Sequence, residues 1–134
     1  MPDLEHARLM LRLARDDLAA MEVLETSPQI SPSIFGFHAQ QAVEKVLKAW
    51  LSLLDVAYPR IHLLYELFNL LEDHGAATAG GFRHLQDLTP FAVQFRYEEF
   101  TLSEANLDRL EVVRQVRDLI GHVEIFIREA EAAG

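Results

Sequence analysis

Between Phe37 and Trp50 the chain carries two surfaces that only a helix keeps apart. Ala39, Ala42, Val43, Val46, Ala49, Trp50 and Leu53 recur at three- and four-residue spacing and form a wide apolar face. His38, Gln41, Lys45, Lys48 and Ser52 recur with the same spacing on another side, and Lys45 and Lys48 are the only lysines of the protein. A face that wide must be covered by other elements, so this helix dictates a helical partnership rather than a free-standing rod.

The rest of the chain offers such partners. Residues 3 to 25 place Ala7, Leu11, Ala14, Leu18 and Met21 on one stripe, with Asp3 as the expected N-cap. Two prolines and three serines between Thr26 and Ser33 break the pattern. Ser31-Pro32 then reads as cap and first helical residue of the second helix, which is expected to stop in Asp55–Pro59. A third helix is expected from Ile61 or His62 through Leu64, Leu67, Phe68 and Leu71, with Gly75 where a left-handed C-cap sits. Ala76 to Gly81 reads as a flexible connector, and Phe82 to Leu88 as one or two turns interrupted by Thr89-Pro90. Phe91 to Tyr97 reads as extended or as a short helix. Ser103 is the expected cap of a last long helix with Val112, Val116, Leu119, Val123, Phe126 and Ile127 on its core side. The sum is an all-α fold over residues 1 to 134, an antiparallel bundle of four long helices plus one or two short ones.

The chain has 134 residues, enough for one domain with its own core, and no cysteine, which removes disulfides and thiolate metal sites. The acidic N-terminus lacks the pattern of a signal sequence, and no apolar run is long enough to span a membrane, so a cytoplasmic protein is expected. A net charge of −9 argues against a duplex nucleic-acid grip, which needs a basic excess. The arginines are nevertheless unevenly spread. Arg8, Arg12 and Arg15 line one stripe of the first helix, and Arg114, Arg117 and Arg128 lie on nearly one side of the last. Salt bridges with Glu5, Asp16, Asp118 and Glu124 are the plainer expectation for them, and a phosphate-facing surface is the alternative.

The string Phe37-His38-Ala39-Gln40-Gln41-Ala42-Val43-Glu44-Lys45-Val46-Leu47-Lys48-Ala49 resembles the second-helix signature of the HEPN domain family, F-H-x-x-Q-A-x-E-K-x-x-K-A. His62-Leu63 stands where members of that family open their third helix. Arg96-Tyr97 resembles the pair that precedes their last helix, with Glu98 in place of the usual proline. The resemblance implies a compact bundle of four or five helices. It also implies one of two roles. In the first, the domain accompanies a minimal nucleotidyltransferase, as in toxin–antitoxin type systems, and binds nucleotide or the partner enzyme. In the second, an arginine followed after four to six residues by histidine makes a metal-independent ribonuclease, a toxin working at a dimer interface.

Arg117 and His122 fit the arginine–histidine spacing. Five residues apart on a regular helix, they point about 140° away from each other. Convergence on one phosphate would require a break near Gly121 or a group from a second subunit. The first role is therefore preferred, and an enzyme in its own right is not expected. His38, Gln41, Lys45 and Lys48, on an exposed stripe of the second helix, with Arg96 and Tyr97, are the candidate ligand-binding residues, because imidazole, amide and ammonium groups on one stripe suit a nucleotide phosphate or a partner's charged surface. The competing reading is that the stripe packs against another subunit, or that His38 and Gln41 hydrogen-bond within the bundle as satisfied structural groups. Trp50 and the Phe91/Phe95 pair suggest an apolar surplus buried by self-association, hence a homodimer. No cofactor is expected. Asp118/His122 is a lone helical pair of potential metal ligands, Gly80-Gly81 lacks the strand and lysine of a phosphate loop, and no serine has the context of a nucleophile elbow.

Overall fold

The computed structural model describes residues 2–58, 60, 63–92 and 107–134. Four α-helices span Leu4–Glu25 (α1), Pro32–Leu53 (α2), Leu64–Asp73 (α3) and Arg109–Ala133 (α4), and a 3-10 segment covers Ala79–Phe91. The bundle expected from the sequence is present. The Asp3 side chain caps α1 by accepting from the His6 N–H at 3.0 Å. Pro32 opens α2 as foreseen, although the Ser31 side chain makes no capping bond there. Both α2 and α3 end in a left-handed residue, Asp55 at φ 59° and Gly75 at φ 91°. Each end is closed by the paired bonds of a Schellman motif, Val56 N–H to Leu51 and Asp55 N–H to Ser52, then Ala76 N–H to Leu71 and Gly75 N–H to Glu72.

The apolar stripes read from the sequence for the first three helices lie in the core. Ala7, Leu11, Ala14, Leu18 and Met21 of α1 are buried, as are Ala39, Ala42, Val43, Val46, Ala49 and Trp50 of α2 and Leu64, Leu67, Phe68 and Leu71 of α3. α2 touches α1, α3, α4 and the 3-10 segment, and its longest contact is with α1. Across the α1–α4 seam Arg8 pairs with Glu131, Arg15 with Glu124 and Glu22 with Arg117. Residue numbers rise on one helix as they fall on the other, so the two run antiparallel.

Four details differ from the sequence reading. Ala76 to Gly81 is not a loose connector: Ala76 and Ala79 are buried, and the 3-10 segment starts at Ala79. Thr89-Pro90 does not interrupt that segment, which contains Pro90. Thr89 holds it by accepting from the Leu64 N–H at 3.2 Å and donating to the Gln86 carbonyl at 2.8 Å. The last helix begins at Arg109 with Asp108 as its cap, accepting from Glu111, later than the Ser103 reading. Its core stripe uses Val113, with Val112 and Phe126 only partly buried. Trp50 and Phe91, two of the three residues read as a surface surplus, each leave 3% of their surface exposed and belong to the core. Ile61, His62, Phe95, Arg96, Tyr97 and Ser103 lie outside the described residues.

Arg109 knots the start of α4 to the α1–α2 turn. Its guanidinium donates to the carbonyls of Leu24 at 2.8 Å, Ser27 at 3.1 Å and Ile30 at 2.5 Å, and lies over the Phe35 ring at 5.4 Å. Arg109→Ala is expected to cost about 3 kcal/mol, read as a lower urea midpoint at unchanged slope.

Candidate functional site

The polar stripe of α2 is half-buried and already paired. Asp17, on α1 and only 9% exposed, accepts from both ends of it: its Oδ1 lies 3.0 Å from His38 Nδ1 and its Oδ2 2.6 Å from Lys45 Nζ. A second chain of bonds runs along the other edge. Gln41 Nε2 donates to Gln40 Oε1 at 2.7 Å, Gln40 Nε2 to Glu44 Oε1 at 3.0 Å, and Lys48 Nζ to Glu44 Oε2 at 3.0 Å. Gln40 is fully buried and Glu44 is 4% exposed. A carboxylate that deep persists as an ion only with a cation and hydrogen bonds on it, and Lys48 and Gln40 supply both.

At the α2 C-terminus the Lys48 ammonium lies 5.4 Å from the Tyr58 ring, whose hydroxyl sits 2.7 Å from His6 Nε2. Burial pushes the Tyr58 phenol above its usual range, the hydrogen bond with Ser52 pulls it partly back, and the carboxylates of Asp3 and Glu44 add to the rise. Ser52 donates to the Lys48 carbonyl at 3.0 Å. His38, Gln41, Lys45 and Lys48 therefore do share one face. That face is a satisfied polar seam and not an open, exposed stripe, and what it offers outward is the half-exposed side of Phe37, His38, Gln41, Lys45 and Lys48. Arg96 and Tyr97 lie outside the described residues.

Asp17 is the residue the sequence reading missed, and its signal was visible. It falls a turn from Ala14 and from Met21, beside Leu18, at the edge of the apolar stripe, where an ionised carboxylate requires a cation from the helix packed opposite.

Arg117 and His122 are held apart. α4 continues unbroken from Arg109 to Ala133, through Gly121. Arg117 is exposed and bonds Glu22 of α1 at 2.8 Å. His122 faces another way, its ring centroid 5.4 Å from Trp50, 5.2 Å from Phe82 and 4.9 Å from Phe126, with Nε2 2.7 Å from the Thr78 hydroxyl. The neighbouring cleft, about 360 Å³, is lined by Trp50, Leu53, Leu54, Phe126, Ala130 and the 75–78 turn. Among the described residues no three His, Cys, Asp or Glu side chains are grouped to hold a metal ion.

This arrangement of a central helix bearing the F-H-x-x-Q-A-x-E-K-x-x-K-A string fits a known domain model. The model of the HEPN domain matches residues 7–132. The chain belongs to the HEPN family. No curated protein matches it, and no solved structure does. In this HEPN domain, the string's polar letters bind α2 to α1 and to itself before they touch anything else. No helix among the described residues is long and apolar enough to cross a membrane.

Two substitutions check this picture by chemical unfolding. Asp17→Ala strands Lys45 and His38 without their shared acceptor and is expected to cost about 2 kcal/mol, discounted from a fully buried pair because Lys45 keeps contact with solvent. Gly121 has open space where a Cβ would stand. Gly121→Ala should therefore raise stability by about 1 kcal/mol, the helix-propensity difference, and a loss instead would show that α4 is not a regular helix there.

Proposed function

We propose that this HEPN domain is an interaction module for a minimal nucleotidyltransferase, in a paired system of the toxin–antitoxin type, with the outward side of the α2 seam as docking face. The observation that carries this reading is the internal pairing of His38 and Lys45 with Asp17 and of Lys48 with Glu44. Pairing fixes the rotamers of long side chains before any partner arrives, which lowers the entropy cost of docking and suits a protein surface. It suits a nucleotide phosphate less, because each ammonium already has a carboxylate and a phosphate would have to displace it. Gln41 retains half-exposed amide capacity beside them for a partner or a base edge. Self-association is part of the same proposal, on the exposed apolar side chains of Val23, Leu110 and Ile125.

The experiment is co-expression with a minimal nucleotidyltransferase whose reading frame adjoins this one, followed by affinity purification and light scattering. A stable complex is expected. Gln41→Arg, placing a bulky cation on the face while keeping an N–H donor for Gln40, should weaken it by about tenfold or more. RNA cleavage by the purified domain alone, abolished by His122→Ala, would overturn the reading in favour of a ribonuclease.

A further inference from the structure

A cluster of arginines stands apart from both α2 and the His122 cleft. It lies in the groove between α1 and α4, where Arg8, Arg12 and Arg15 of α1 face Arg128 of α4 over a floor of Leu11 and Ile127. The groove measures about 360 Å³, and its only carboxylates are Glu124 and Glu131. Four guanidinium groups against two carboxylates leave an excess of two positive charges, in a protein whose net charge is −9.

The pairing inside the groove is uneven. Glu131 holds Arg8 through two contacts, 2.9 Å to Nε and 2.7 Å to an Nη. Glu124 bridges Arg15 and Arg128, the latter at 2.6 Å. Arg12 sits between Arg8 and Arg15 and has no acceptor among the described residues. Asp16, a turn along α1, does not bond it, and Glu5 and Asp3 line an adjoining recess with Arg8, Arg12 and His6. The two flanking cations are thus pre-positioned, and the middle one is uncommitted.

We propose that this groove binds a multiply charged phosphate group, with Arg12 in direct contact and Arg8, Arg15 and Arg128 supplying the surrounding field. A single carboxylate would leave the excess of two charges half-compensated, whereas a phosphate dianion cancels it and a di- or triphosphate more than cancels it. The planar guanidinium meets phosphate oxygens through two parallel N–H bonds. Because Glu124 and Glu131 have already ordered the neighbours, little rotamer entropy remains to be lost on binding.

The probe is inorganic tripolyphosphate, titrated calorimetrically into the full chain at low ionic strength, with adenosine triphosphate and a short single-stranded RNA of equal charge as parallel arms. Saturable tripolyphosphate binding is expected, weakening as salt rises, with adenosine triphosphate binding comparably. Arg12→Glu should lower the affinity by about tenfold or more, and because the Arg12 side chain is exposed and unbonded the variant should melt as wild type does. Arg60→Glu makes the same charge change in the α2–α3 connection and should alter affinity by less than about twofold. Absence of tripolyphosphate binding would sink the proposal, as would equal losses in the two variants, which mark a diffuse charge effect. Binding of RNA without either small phosphate would also overturn it. Partner docking through α2 is read separately: Arg12→Glu should still co-purify the nucleotidyltransferase.

Discussion

Everything in this fold depends on α2 being surrounded. Among the described elements it packs extensively on every other one, so its faces are solved jointly rather than one at a time. Three sides carry small and branched apolar residues and give close packing. The fourth carries ions, and it is not left to water, because α1 lies along one edge of it. A charge in that position is tolerable only with a partner at hydrogen-bonding distance. Asp17 from α1 and Glu44 from α2 meet that requirement. The α1–α2 pair is therefore defined by apolar area and specified by electrostatics: any other alignment of the helices would separate Asp17 from His38 and Lys45. Such use of a buried ion pair costs stability relative to an apolar contact and selects one register.

The α1–α4 seam applies the same principle at the surface. Arg8–Glu131, Arg15–Glu124 and Glu22–Arg117 step along the two helices in opposite directions. Each exposed pair adds little free energy. Together they disfavour a slipped alignment, since sliding by one turn would bring like charges opposite each other. Arg12 does not take part in that ladder, and so it is the stripe's one member whose place on α1 is left unexplained by the seam.

Helix identity and the core stripes were legible in the sequence because the 3.6-residue period is strong in α1, α2 and α3. The segment after Gly75 was not, for a definite reason. Ala76, Ala79, Phe82, Leu85, Leu88 and Phe91 recur every third residue, the 3-10 repeat, and all are buried or packed against the core. Tested against periods of 3.6 and 2 alone, that regularity looks like a small-residue loop followed by fragments. Its far end is fixed by α2: a Cβ on Gly36 would stand 2.4 Å from the Phe91 ring, so the absence of a side chain there lets the segment close onto the bundle. The start of α4 was misplaced because Ser103 and Asp108 are both good caps, and sequence alone does not rank two caps five residues apart. The polar face of α2 was located correctly and its openness was not, because burial of Asp17 is a property of two helices together.

The same reasoning bears on the arginine–histidine spacing in α4. A helix through Gly121 turns Arg117 toward α1 and His122 toward Trp50 and Phe126, so the two residues serve different seams of one bundle. His122 is held by aromatic edges and by the Thr78 hydroxyl, an environment that orients an imidazole without supplying a second charged group. Catalysis by general acid and base needs the reacting groups within hydrogen-bond reach of one substrate. Within a single chain that condition fails here by geometry, whatever the protonation of the ring. Chemistry at this pair would have to be assembled between two chains, with Arg117 released from Glu22 and His122 approached through the Thr78 edge, and the contacts that each residue now makes are the ones that such an assembly would have to replace.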